Sequence, residues 1–219
     1  MQDIIKDIFE GRASSAKQPI IKAIHIPDYP AQYNGCINIA KYLEPKYKET
    51  DVNRDVIKHL ICYFTGRQTN KNFDFSKGIC LVGGVGSGKS LIFDVMKFWA
   101  SNVLQNNSFQ IHSYKNILDN YKINANYITE LEKKTIYIDD MFCINGMTNV
   151  YGTNVDVASE IINSRHKELL ISRKLTHCTS NIYPVDLCEK KILGEREYSR
   201  FQEMFNVIEL SENDWRIKK

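Results

Sequence analysis

Apolar positions recur at a helical period in three stretches of the chain. Val56, Ile57, Leu60, Ile61 and Phe64 share one face and predict a helix over 54–65, with Asn53 as its cap and Gly66 as its stop. Leu91, Val95, Phe98 and Trp99 fall at i, i+4, i+7 and i+8 and predict a second helix that begins at Lys89. Ala158, Ile161, Ile162, Arg165 and Leu169 lie close to one face of a third, over 155–169. Short β-prone runs punctuate these helices at Gly78–Val82, Phe109–Ser113, Thr135–Asp140, Leu175–Asn181 and Phe205–Leu210. The first is almost wholly apolar, as a buried parallel strand should be. More polar helices are expected over 114–132 and 185–193, and residues 142–154, rich in Asn and Gly, read as a mobile loop. Ahead of all this, Ile4, Ile5, Ile8 and Phe9 suggest a short helix over 2–10 that Gly11 to Ser15 break. Ile20 to Ile26 is β-prone, Pro27 to Pro30 is a turn or extended loop, and residues 31–50 carry no clear period.

Composition adds bounds. With 219 residues, 43% of them hydrophobic and 25% charged, the chain suits one globular domain with an appendage. A net charge of +3 permits a nucleic-acid partner without arguing for one. The six cysteines include no C-x-x-C pair, which argues against a zinc module. Cys80 and Cys178 fall inside expected core strands and behave there as small apolar residues, which points to a reducing, cytoplasmic setting. No apolar stretch approaches the roughly 20 residues of a membrane span, and the first residues lack the apolar core of a signal peptide.

The candidate chemistry sits on two strand ends. Gly83-Gly84-Val85-Gly86-Ser87-Gly88-Lys89-Ser90 matches the P-loop pattern G-x-x-x-x-G-K-[ST] at every fixed position, between a strand and a helix as that loop requires. Glycines let the backbone wrap a phosphate chain with its N–H groups turned inward. Lys89 can reach β- and γ-phosphate oxygens, the Ser90 hydroxyl can ligate Mg²⁺, and the following helix offers its positive end to the same anion. The second end is Thr135-Ile136-Tyr137-Ile138-Asp139-Asp140, a β-branched and aromatic run closed by two acids, the form of a Walker B strand. In open α/β sheets ligands bind beyond the carboxyl ends of the strands, so both acids would emerge at the nucleotide. Asp139 is placed to hold Mg²⁺ and Asp140 to orient or deprotonate the attacking water.

Three more residues are candidates. Asn181, at the end of the strand from Leu175, could hold the attacking water if that strand packs between the other two; a turn residue before Ile182-Tyr183-Pro184 is the alternative. Arg200 is a candidate arginine finger, lent to a neighbouring copy's nucleotide, or else an ordinary salt bridge. Arg165 either reaches a phosphate or a neighbouring copy's site, or pairs on the surface. With Lys167, Arg173 and Lys174 it could contact DNA phosphates; a solvated basic face is the alternative.

Taken in order, Gly83 to Ser90, Ile138-Asp139-Asp140, Thr179-Ser180-Asn181 and Tyr198-Ser199-Arg200-Phe201 resemble the AAA+ ATPases, and among them the DnaC/IstB type. The resemblance covers about residues 53–215 and implies an α/β P-loop NTPase core, a five-stranded parallel sheet with helices on both faces. It implies ATP and Mg²⁺ as cofactors, assembly into homo-oligomeric rings or spirals, single-stranded or duplex DNA, and a replicative helicase or a transposase as partner. It divides the chain into an extension over 1–52, a possible partner-binding segment, and an ATPase domain over 53–219 without a helical lid. In many P-loop ATPases the segment ahead of the first strand walls the adenine pocket, so residues around 53–63 are candidates for base contact, with plain packing as the alternative.

The expected function is therefore an ATP-hydrolysing DNA-replication accessory protein, most like a helicase loader, with no membrane role. A transposition-helper ATPase and a nucleotide-gated assembly switch with slow hydrolysis are the alternatives. A small-molecule P-loop kinase is disfavoured because no lid or acceptor-site pattern is visible.

Overall fold

The computed structural model describes residues 29–104, 109–131, 134–143, 147–150 and 153–211. The expectations for residues 2–10 and 20–26 lie outside them. The described chain begins with helix α1 (Tyr29–Leu43) and helix α2 (Asp51–Phe64). Then strand β1 (Gly78–Val82) leads to α3 (Lys89–Val103), β2 (Gln110–Ser113), α4 (Tyr114–Ile123), α5 (Tyr127–Leu131) and β3 (Ile136–Asp139). A hairpin of β4 (Met147–Val150) and β5 (Thr153–Asp156) precedes α6 (Val157–Ser172) and β6 (Thr176–Ser180). Helices α7 (Pro184–Glu189) and α8 (Glu195–Met204) and the strand β7 (Phe205–Glu209) complete the order.

Five strands form one sheet in the order β2-β3-β6-β1-β7, and every pair is parallel. Parallel neighbours need crossovers, and the helices supply them on both faces. The strand period of two divides β1 between the two cores. Ile79 and Leu81 join the core built on α1, α2 and α3, whereas Cys80 and Val82 join the core built on α4, α5, α6 and α8. Because β6 lies between β1 and β3, the ends of the three strands expected to carry chemistry are adjacent along one edge.

Several local expectations shift. Helix α2 is capped by Thr50, not Asn53. The Thr50 side chain accepts from the Asn53 N–H at 3.2 Å while Asn53 Oδ1 accepts from the Thr50 N–H at 2.9 Å, a reciprocal box that moves the helix start to Asp51. The buried face of α3 runs through Ile92, Val95, Met96 and Trp99, and Phe98 is half exposed at 51%. The expected single helix over 114–132 is two: the Asn124 side chain accepts from the Asn126 N–H at 3.0 Å, an Asx turn that competes with the helix ladder. Much of the stretch expected to be a mobile loop, 142–154, is the antiparallel β4–β5 hairpin, with Thr148 paired to Val155 and Asn149 to Asn154.

Arg165 is the plainest correction. It is fully buried on α6, neither on the surface nor beside a phosphate site. Its guanidinium donates to the carbonyls of Leu131, Lys134, Lys174 and Leu175 and to the Thr176 hydroxyl, at 2.7–3.3 Å. A planar fork of donors suits such a ring of carbonyl ends, and it ties α5 and the start of β6 to α6. His177, next along β6, is also buried; desolvation and then the Arg165 charge push its pKa down to about 3. Its Nδ1 accepts from the Ile79 N–H at 3.1 Å, so the neutral ring locks β6 to β1 below the site.

Candidate functional site at the carboxyl edge of the sheet

The loop from Gly83 to Gly88 leaves β1 and turns straight into α3. Its conformation explains two of its glycines. Gly88, the N-cap of α3, has φ 92, a left-handed setting that a Cβ would strain. A Cβ on Gly83 would stand 2.3 Å from the Leu210 carbonyl oxygen, so the loop root admits no side chain. Helix α3 then begins at Lys89, with its first N–H groups at the loop.

Lys89 is almost fully buried. Its Nζ donates to the carbonyls of Gly83 at 2.9 Å and Gly84 at 2.8 Å and to Asn181 Oδ1 at 2.7 Å. Asn181, one residue past β6, is thereby brought to the loop that the sequence places nearly a hundred residues away. Next along α3, the Ser90 hydroxyl donates to Asp139 Oδ1 at 2.7 Å. Asp140 follows with φ 53, a turn out of the strand line. Asp140 and Asn181 line one cleft together with Val85, Gly86, Gly88, Lys89, Ser90 and Leu91. Lys89, Ser90, Asp139, Asp140 and Asn181 are therefore brought together at this edge of the sheet.

A neighbouring pocket shares Gly88 and Leu91 with this cleft and is otherwise lined by Tyr47, Lys48, Thr50, Asn53, Ser87 and Ile92. Asp140 is not among its lining residues, and its lining is mostly apolar, a chemistry that suits a flat aromatic base. Asn53 is the one residue of the 53–63 stretch lining it; Val56, Ile57, Leu60 and Ile61 are core residues of α2.

Two site residues escaped the sequence reading. Tyr137 is buried on β3, its ring stacked on Phe93 with centroids 4.2 Å apart, and its hydroxyl donates to Asp139 Oδ1. Burial first, and then the Asp139 charge, hold its pKa well above the ordinary phenol value, so it stays a donor. Thr179 on β6 donates to the same Oδ1 at 2.8 Å and accepts from the Asp140 N–H at 2.9 Å. The signal for Tyr137 is strand parity: it stands two residues before Asp139, on the same face of β3.

Arg200 is not part of this cleft. It is half buried on α8, and its guanidinium donates to Asn163 Oδ1 on α6. Lys167 and Arg173 are exposed and Lys174 is half buried, around the carboxyl end of α6. Since α6 ends just before β6 begins, that group lies toward the sheet edge opposite the P-loop.

The donor set fits a hard divalent cation bound with a nucleotide. A hydroxyl and a carboxylate within hydrogen-bond distance supply two oxygens, and a cation of the Mg²⁺ class draws its other ligands from phosphates and water. Among the described residues no group of three or more His, Cys, Asp or Glu gathers as a protein-only metal cage. All six cysteines are free thiols, and no helix among the described residues is long and apolar enough to cross a membrane.

No protein-family profile matches the chain, and no curated protein matches it in sequence. Solved structures do match in fold. A DnaC helicase loader aligns with a TM-score of 0.52 and 16% identity, over 74% of this chain and 93% of its own. DnaI aligns with a TM-score of 0.53 and 16% identity, over 76% of this chain and 89% of its own. DnaA from Aquifex aeolicus, solved with AMPPCP bound, aligns with a TM-score of 0.54 and 16% identity, over 78% of this chain and half of its own. At that identity the likeness is one of fold: the five-stranded parallel α/β sheet described above.

Proposed function

We propose that the chain is a Mg²⁺-dependent ATPase that serves DNA replication as an accessory protein, most like a helicase loader of the DnaC/IstB type. The observation that carries this reading is the junction at the sheet edge, where Lys89 meets Asn181 and Ser90 meets Asp139. A phosphate chain entering the cleft would take over the donors that Lys89 now gives to loop carbonyls, and loop N–H groups would cradle it. Ser90 and Asp139 would hold Mg²⁺, which would supply neutralisation of the phosphate charge. Asp140 would take a proton from the attacking water and Asn181 would orient that water. The pocket from Tyr47 to Asn53 would receive the base.

Replication neighbours in fold support the wider role, since one is a helicase loader by name and another, DnaA, was solved with an ATP analogue. On this reading the partners are single-stranded DNA and a replicative helicase. Lys167, Arg173 and Lys174 are the phosphate-contact candidates, residues 1–52 are the candidate partner-binding segment, and the setting is the cytoplasm. Arg200 would leave Asn163 and enter the cleft of a neighbouring copy in a homo-oligomer.

Subunit mixing tests the shared site. Arg200→Ala and Lys89→Ala proteins should each be nearly inactive, the first by about 1,000-fold or more in kcat. Mixed in equal amounts, they should recover a measurable fraction of wild-type turnover, because some interfaces join an intact P-loop to an intact arginine. Normal hydrolysis by Arg200→Ala alone, at concentrations where the wild type is assembled, would contradict the role in trans.

A further inference from the structure

Asp139 Oδ1 is the acceptor for three hydroxyls: Ser90 at 2.7 Å, Thr179 at 2.8 Å and Tyr137. These three donors differ in what else they can do. The Ser90 hydroxyl lines the cleft, and its oxygen keeps a lone pair for a cation while its proton stays on Asp139. Thr179 has no such freedom. Its oxygen already accepts from the Asp140 N–H at 2.9 Å, so its single proton is committed to the carboxylate. Tyr137 is equally fixed, with its ring packed on Phe93 and 1% exposed.

Resting on the reading of this cleft as an ATP site, we propose that Tyr137 and Thr179 are positioning residues that set the rotation of the Asp139 carboxylate for the divalent cation. Two anchored donors on one carboxylate oxygen hold the group in place whether or not Ser90 keeps its proton on Asp139. Thr179 also links the two acids, since one hydroxyl bridges the Asp140 backbone and the Asp139 side chain. Mg²⁺ demands near-ideal octahedral geometry, so a carboxylate free to rotate is a poorer ligand for it. Outer hydrogen bonds of this kind are worth about 10- to 100-fold in metal affinity.

The experiment uses the full chain and a fluorescent ATP analogue, titrated in EDTA and then across a range of Mg²⁺ concentrations. Tyr137→Phe removes one hydroxyl and keeps the stacked ring; Thr179→Val removes the other; Thr179→Ser retains it. Expected are EDTA affinities within about twofold of wild type for all three variants. The Mg²⁺ concentration for half-maximal enhancement of binding should rise about tenfold for Tyr137→Phe and Thr179→Val, and stay near wild type for Thr179→Ser. Variants that track the wild type across the Mg²⁺ series overturn the inference and leave the ATP-site reading standing. A parallel loss of affinity in EDTA also overturns it, because the two residues then serve the fold or the nucleotide, not the metal. A wild type that binds no analogue, or binds it without regard to Mg²⁺, overturns both. If Thr179→Val fails to fold, Tyr137→Phe decides alone.

Discussion

Lys89→Ala is expected to weaken Mg-ATP binding by roughly 100-fold or more. Among the described residues the ammonium is the only side-chain cation lining the cleft, and it stands buried between the loop carbonyls and Asn181. It is desolvated before any ligand arrives, so trading two carbonyl partners for phosphate oxygens costs little. Hydrogen bonds between charged groups are worth about 1.5–3 kcal/mol each, and roughly 1.4 kcal/mol is a factor of ten. Two such bonds account for the expected loss. The fold should survive, because Gly84 lies at the exposed tip of the loop and water can satisfy its carbonyl. Calorimetric titration of ATP into wild type and variant, with unfolding midpoints as the control, measures this. Micromolar binding retained by a folded Lys89→Ala protein would sink the phosphate site.

Arg165→Lys should have the largest effect on stability, although the charge is conserved. One ammonium has three donors at a single point, whereas the guanidinium reaches four carbonyls and a hydroxyl on separate segments. At least two buried acceptors would lose their donor, at about 1–3 kcal/mol each. A loss of about 3–5 kcal/mol is a large share of the roughly 5–15 kcal/mol that stabilises a typical domain. The urea midpoint should therefore fall by about 1 M or more. A midpoint within about 0.3 M of wild type would show that the lysine, with its own water, satisfies the same carbonyls.

The contrast between these two residues shows what the sequence reveals. Lys89 sits in a pattern whose fixed positions each have a chemical reason, so its place at the start of α3 can be anticipated. The adjacency of Asn181 follows equally, from one conditional: that its strand packs between the P-loop and Walker B strands, as β6 does. Arg165 shows the limit. On a helical face beside Ile161, Ile162 and Leu169 it reads as a cation looking for an anion. Its real partners are backbone carbonyls of segments 9 to 34 residues distant. Carbonyl acceptors have no residue type, so no sequence pattern announces them. Tyr137 and Thr179 are hidden differently: both read as strand residues, and only the register of β3 against β6 sets their hydroxyls on one oxygen. The cap of α2 and the β4–β5 hairpin rest on local pairing, where Thr50 and Asn53 bond each other reciprocally and an Asn-rich stretch forms a two-stranded ribbon.

The most direct test of the whole account is steady-state ATP turnover by the wild-type chain against its own concentration, with and without single-stranded DNA. A site completed by a neighbouring copy on a nucleic-acid track predicts a rate per molecule that climbs steeply with protein concentration and rises further with DNA. A rate per molecule that is constant with concentration and blind to DNA would contradict it, and would mark a self-contained nucleotide site serving some other acceptor.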